Sequence, residues 1–279
     1  VLQEPEMTDV AVIQMGSGPN KENNIKRALS FTAEALSKRS QFICLPEYFY
    51  FRGNLSTEAE ISRIVEPVNG ATVREFAVLA KKGKAYILLG SIYEKTRSKG
   101  RAYNTSVLIG PDGEVKAVYR KQHLFHLRMP GSPGGEIRES FLFNAGTKKV
   151  IVPVGPFMLG MTMCFEVRFP MLYEWYARRG VNLFTIPASF AHATGQAHWE
   201  LLVRARAVET FSYVIAPDQT GLNAQGYRCW GQSMIVDPWG EILAQASNAK
   251  EEIIYASLDP KKPQRLRRMF PGFKPAFIN

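Results

Sequence analysis

Residues 159–170 read LGMTMCFEVRFP, and this stretch decides how the rest of the chain is parsed. The apolar run Met158–Met163 has strand character and stops abruptly on a thiol, Cys164. A helical segment follows and is expected to end at Gly180, a residue suited to a left-handed C-terminal stop. Another apolar strand, Val181–Ile186, comes next. The order strand, reactive side chain, helix, strand marks an α/β protein. In such folds ligands bind beyond the carboxyl ends of strands.

Working outward, the same punctuation recurs. Phe42–Glu47 is an apolar strand ending on a carboxylate, and Val115–Lys121 is a strand ending on an ammonium. A carboxylate, a cation and a thiol supply the base, the charge stabiliser and the nucleophile that amide cleavage requires. Strands are expected at Asp9–Met15, Gln41–Pro46, Ala85–Tyr93, Tyr103–Ile109, Glu114–Tyr119, Val150–Val154 and Ser212–Ala216, with two more late in the chain. Gly110-Pro-Asp-Gly113 and Gly155-Pro156 read as turns. Asn20–Lys38 carries Ile25, Leu29, Thr32 and Leu36 at helical spacing. Thr72-Val-Arg-Glu75 reads as a capping box opening a second helix, and His198–Thr210 as a later one. No repeat, low-complexity tract or long linker divides the chain. One α/β domain over residues 7–279 is expected, with a C-terminal arm from about Asp259 and residues 1–6 as a remnant of a leader or of an added tag.

Composition excludes several classes. The 279 residues are 46% hydrophobic and 22% charged, which rules out disorder for most of the chain. The longest uncharged apolar run, Val150–Phe165, is broken by Pro153, Gly155 and Pro156, and a spanning helix needs about 20 apolar residues. No membrane partner and no secretory signal are expected. Three widely spaced cysteines, Cys44, Cys164 and Cys229, fit neither a disulfide framework nor a zinc site. They suit a reduced, cytoplasmic protein. The net charge of +10 includes an acid-free cluster, Lys261, Lys262, Arg265, Arg267, Arg268 and Lys274. With no nucleic-acid motif beside it, this reads as a basic tail packed on the body or on a partner subunit, not as a nucleic-acid site.

The residues around these positions resemble the carbon–nitrogen hydrolase (nitrilase) superfamily. The resemblance is carried by Leu45-Pro46-Glu47, by Tyr119-Arg-Lys121-Gln-His-Leu124-Phe125 and by Cys164-Phe-Glu-Val-Arg168-Phe-Pro170. It continues through Gly195-Gln-Ala-His-Trp199, Arg204-Ala-Arg-Ala-Val-Glu209 and Gly231-Gln-Ser233-Met-Ile-Val-Asp237-Pro-Trp-Gly240. The branch it is most similar to holds omega-amidases and deaminated-glutathione amidases. This resemblance implies an α-β-β-α sandwich of two facing sheets flanked by helices. It implies a homodimer or higher homo-oligomer acting on a small-molecule amide, with no cofactor and no metal.

Residue roles follow from the same resemblance. Cys164 matches the nucleophile, Glu47 the general base and Lys121 the cation that stabilises the oxyanion together with the N–H after Cys164. Glu139 matches a second glutamate that hydrogen-bonds the lysine and orients substrate. Phe165 and Arg168 stand beside the nucleophile as supporting, substrate-binding positions. A helix starting just after Cys164 is expected to favour the thiolate. The chain departs from the family pattern at Phe165, Glu166 and Met171, which leaves the substrate open. Positive charge near the pocket, from Arg168, Arg128 or the Lys148/Lys149 pair, is expected to favour an acidic omega-amide. N-carbamoyl amino-acid hydrolysis with the same residues is the alternative within the enzyme class. An inactive member binding anions or nucleic acid through the basic tail is the alternative outside it. Among the histidines, His123 is expected to be a structural hydrogen-bonding group behind the lysine loop and His198 a helix-start contact. Cys229 and Cys44 are read as packing.

Overall fold

A computed structural model describes residues 7–98, 100–128, 136–223 and 226–273. Alternation within the strands builds the architecture. In the first sheet the strands run in the order Glu252–Leu258, Thr8–Gln14, Phe42–Cys44, Tyr86–Lys95, Ala102–Ile109, Val115–Arg120. Phe143–Asn144 adds a short pairing to Ala102–Ile109. Val10, Val12, Phe42, Cys44, Leu88 and Leu108 point to one face, where they pack against the second sheet. Their neighbours Ala11, Ile13, Ile43, Leu45, Ile87 and Leu89 point to the other face. There they meet Ala28 and Ala35 of helix Lys21–Ser37 and Val73, Phe76 and Ala80 of helix Ala71–Gly83. Because successive side chains of a strand face opposite ways, both faces of a doubly covered sheet must be apolar.

The second sheet runs Ile242–Gln245, Met234–Val236, Tyr213–Ala216, Leu183–Thr185, Phe157–Met161, Ile151–Val154. Leu172, Tyr173 and Tyr176 of helix Pro170–Ala177 pack on it, with Trp199, Val203 and Ala207 of helix His192–Thr210. The result is a sandwich of helices, sheet, sheet and helices.

Strand direction places the chemistry. Phe42–Cys44 and Tyr86–Lys95 are parallel, and two antiparallel steps through Ala102–Ile109 return Val115–Arg120 to the same direction. Glu47 and Lys121, which follow two of these strands, therefore emerge at the same end of the first sheet.

Two expected elements differ. The segment Thr72–Glu75 does not form a capping box, because the helix starts at Ala71 and Thr72 already lies inside it. Its end is capped from outside, where the Glu66 carboxylate accepts the Thr72 N–H at 3.0 Å and the Thr72 hydroxyl at 2.7 Å. A true capping box sits at Thr57 and Glu60, opening the unanticipated helix Glu58–Ile64. The helix expected from His198 starts at His192, so His198 is an interior residue and not a helix-start contact.

The described part of the C-terminal arm lies on the body. Helix Lys262–Met269 sends the Arg267 guanidinium to the carbonyls of Val181 and Thr210 at 2.7 and 2.8 Å, and Phe270 stacks on Phe211. Lys262 pairs with Asp237 and Arg265 with Asp259. Lys274 lies outside the described residues.

Candidate active site

Two turns that few side chains adopt frame the site. Cys164 has φ of 45°, and Tyr48, directly after Glu47, has φ of 57°. Non-glycine residues in this left-handed region are uncommon and concentrate at functional turns. The Cys164 N–H is fixed by the Pro187 carbonyl at 3.0 Å. A short 3₁₀ turn, Cys164–Arg168, then leads into helix Pro170–Ala177.

Lys121 is the centre of the site. Its Nζ lies 2.8 Å from Glu47 Oε1 and 2.9 Å from Glu139 Oε1. Glu47 also accepts from Asn104 Nδ2 at 2.8 Å, and the same amide donates to the Tyr48 hydroxyl at 2.9 Å. That hydroxyl donates to Glu139 at 2.5 Å. The second Glu139 oxygen accepts the Phe125 N–H at 2.7 Å. Glu47 and Lys121 are both 1% exposed, and Cys164 is 7% exposed. An ion pair this deep persists only when its remaining bonding capacity is satisfied, and here the surrounding amide, hydroxyl and N–H groups do that.

The charges act on one another. Burial alone would lower the Lys121 ammonium, but the Glu139 and Glu47 carboxylates outweigh it and raise its pKa. Lys121 is thus a fixed cation. Burial, and after it the Glu47 charge, push the Cys164 thiol well up, against the pull of Lys121 and of the Ser189 N–H. This corrects the expectation of a lowered thiol: the short turn after Cys164 does not offset the loss of water. The Glu47 carboxylate lines the same cavity as this thiol.

Glu166 ties together the segments that carry Lys121 and Cys164. Fully buried, it accepts the Tyr119 hydroxyl at 2.7 Å, the Gln122 and His123 N–H groups at 2.8 and 3.1 Å, and the Met163 N–H at 2.8 Å. Those donors flank Lys121 on one side and Cys164 on the other. The His123 ring stacks on Phe169, with centroids 3.9 Å apart.

A cavity of about 370 Å³ opens onto Cys164, a size suited to a small ligand. Glu47, Glu139 and Phe165 line it as well, with Tyr48, Arg52, Phe125, Ser189, Phe190 and Cys229. Phe165 is held edge-on against Phe125 and Phe169. Arg168 does not line the cavity; its guanidinium lies against the His198 ring, 3.2 Å from Nδ1, and over Phe190. Nor do Arg128, Lys148 or Lys149 line it. The basic side chains that do are Arg52, Arg138 and Arg228. Met171 is exposed at the start of its helix.

Comparison with known proteins fits this geometry. The family model described as carbon-nitrogen hydrolase matches residues 9–268. The chain belongs to the carbon-nitrogen hydrolase family. Family members of the amidase type hydrolyse carbon–nitrogen bonds other than peptide bonds, and this family member is a hydrolase of that class. It is 35% identical over 267 residues to a deaminated glutathione amidase of Synechocystis, spanning 95% of this chain and 96% of that one. It is 35% identical over 265 residues to the omega-amidase of Homo sapiens, spanning 95% and 93%. A nitrilase and fragile histidine triad fusion protein of Caenorhabditis elegans is 36% identical over 95% of this chain, which spans only 59% of the fusion protein. The crystal structure of the C. elegans fusion protein superposes with a TM-score of 0.88 at 34% identity, over 97% of this chain and 65% of that one.

Residues that the structure adds to the sequence reading are Asn104, Tyr48, Ser189 and Arg52. Asn104 carried no signal of its own, because Thr105 and Ser106 follow it in the strand Ala102–Ile109. Tyr48 and Arg52 follow Glu47 closely. Ser189 had no signal in the sequence.

Proposed function

We propose that this carbon-nitrogen hydrolase cleaves a small acidic omega-amide to carboxylate and ammonia through a thioester on Cys164. The observation that carries this reading is the buried Lys121 ammonium bridging Glu47 and Glu139, two carboxylates that line the cavity opening onto Cys164. Glu47 takes the thiol proton as sulfur attacks the amide carbon. The carbonyl oxygen becomes an oxyanion stabilised by Lys121 and the Phe165 N–H. Glu47 then protonates the nitrogen, the C–N bond breaks, and ammonia leaves with a thioester behind. A water that gives its proton to Glu47 attacks the thioester, and the carboxylate product departs as the thiol is restored. Glu139, bonded to both Lys121 and Tyr48, holds the ammonium in place and faces the substrate.

An acidic substrate is supported by the three arginines of the lining. The relatives' names, an omega-amidase and a deaminated glutathione amidase, support it as well. A reducing, cytoplasmic setting is supported by three free cysteines. A homo-oligomer is supported by exposed Met171 and Leu201 on the two helices that cover the second sheet. Ammonia release tests the reading on three substrates: 2-oxoglutaramate, a neutral amide of equal length and an N-carbamoyl amino acid. Preference for the first supports it. Preference for the carbamoyl compound would replace it with the carbamoyl hydrolase.

A further inference from the structure

Buried cations in this chain are generally satisfied. Lys121 has two carboxylates, and the Arg206 guanidinium holds the Val167 carbonyl and Glu209. Arg52 differs. The buried Nε atoms of Arg27 and Arg267 also lack partners, but their terminal nitrogens are bonded. No side-chain hydrogen bond of Arg52 occurs among the described residues. Its guanidinium stacks over the Tyr48 ring at 4.6 Å, and its Nε is buried with no hydrogen-bond partner. No ion pair of Arg52 occurs among the described residues. This buried Nε lacks the hydrogen bond that water would otherwise supply. Yet the side chain lines the cavity that holds Cys164.

Tyr48 sets where that charge stands. Its ring carries Arg52 on its face, while its hydroxyl is bonded to Glu139 and Asn104, the partners of Lys121 and Glu47. The guanidinium is thus one aromatic ring away from the Lys121 cluster. Arg138 and Arg228 also line the cavity but are exposed, so water screens them.

We propose that Arg52 is the specificity-determining residue of the site, receiving the substrate carboxylate remote from the scissile amide. A planar guanidinium bonds a carboxylate through two parallel N–H groups, and the partly dry cavity strengthens that pair. The inference rests on the acidic omega-amide reading above. It goes further by naming the group that reads the acid.

The test measures kcat/KM for 2-oxoglutaramate and for a neutral amide of equal length, in wild type, Arg52→Met and Arg52→Lys. Wild type is expected to prefer the acidic amide, and Arg52→Met to reduce the acidic-to-neutral ratio by roughly tenfold or more. Arg52→Lys keeps the charge but loses the fork, so its ratio falls between the two. Glutarate should protect Cys164 from iodoacetamide in wild type and fail to do so in Arg52→Met. A wild-type preference that survives both substitutions overturns the role of Arg52 and leaves the acidic reading standing. No preference in wild type overturns the acidic reading, and this inference with it. Should Arg52→Met not fold, an unchanged ratio in Arg52→Lys overturns the role alone.

Discussion

Glu166, two residues after Cys164, accepts the Gln122 N–H at 2.8 Å, one residue after Lys121. One buried carboxylate thereby fixes the spacing between the ends of two strands from different sheets. Glu166→Gln puts an amide NH₂ where one oxygen accepts, leaving at least one buried donor facing another. An unmade buried hydrogen bond costs about 1–3 kcal/mol. Thermal unfolding should show a Tm lowered by several degrees, and kcat should fall although no substrate contact is removed. Wild-type Tm and kcat would contradict this.

Glu47→Gln should slow hydrolysis and yet make the Cys164 thiol easier to ionise. Hydrolysis falls by about 10²-fold or more, because proton transfer is lost while the shape is kept. The Glu47 charge is one of the groups that raise the Cys164 thiol. Removing it lowers the thiol pKa, so the pH midpoint for direct alkylation of Cys164 shifts down. An unmoved or raised midpoint would show that Glu47 does not act on the thiol.

Much of this site was legible because its three reactive side chains stand at the ends of apolar strands, a pattern visible in any string. The two facing sheets were not distinguishable from a doubly wound sheet by pattern alone. Both architectures bury both faces of their strands, so Val10 and Ala11 look alike although they enter different cores. Gly195 misleads the reading of the helix around it. It looks like a loop residue, but a Cβ there would lie 2.4 Å from the Trp230 side chain, so glycine serves close packing inside the helix. The pairing of Arg52 with Tyr48, and its unpartnered Nε, depend on rotamers that no spacing rule encodes.

Resting Cys164 should alkylate slowly at neutral pH. Its thiol is raised, so the thiolate fraction at pH 7 is smaller than for an ordinary cysteine and grows with pH. Iodoacetamide rates should still be climbing at about pH 9, past the ordinary thiol range. Cys44, buried away from the cavity, should stay unlabelled in the folded protein. A plateau below about pH 8 would contradict the neutral-thiol ground state.

Arg267→Met should destabilise the fold without touching chemistry. It removes bonds to the Val181 and Thr210 carbonyls and to the Ser212 hydroxyl. The loss is about 1–3 kcal/mol, read as a lower urea midpoint at an unchanged slope. Unchanged stability would mean that the arm is not docked as described.

The central claim is a thioester on Cys164, and intact-mass spectrometry of enzyme acid-quenched during turnover of 2-oxoglutaramate tests it most directly. The account predicts a protein species heavier by the acyl group with ammonia lost, mapping to Cys164 and absent from Cys164→Ala. Ammonia release by a folded Cys164→Ala protein, or an acyl adduct on any other residue, would contradict it.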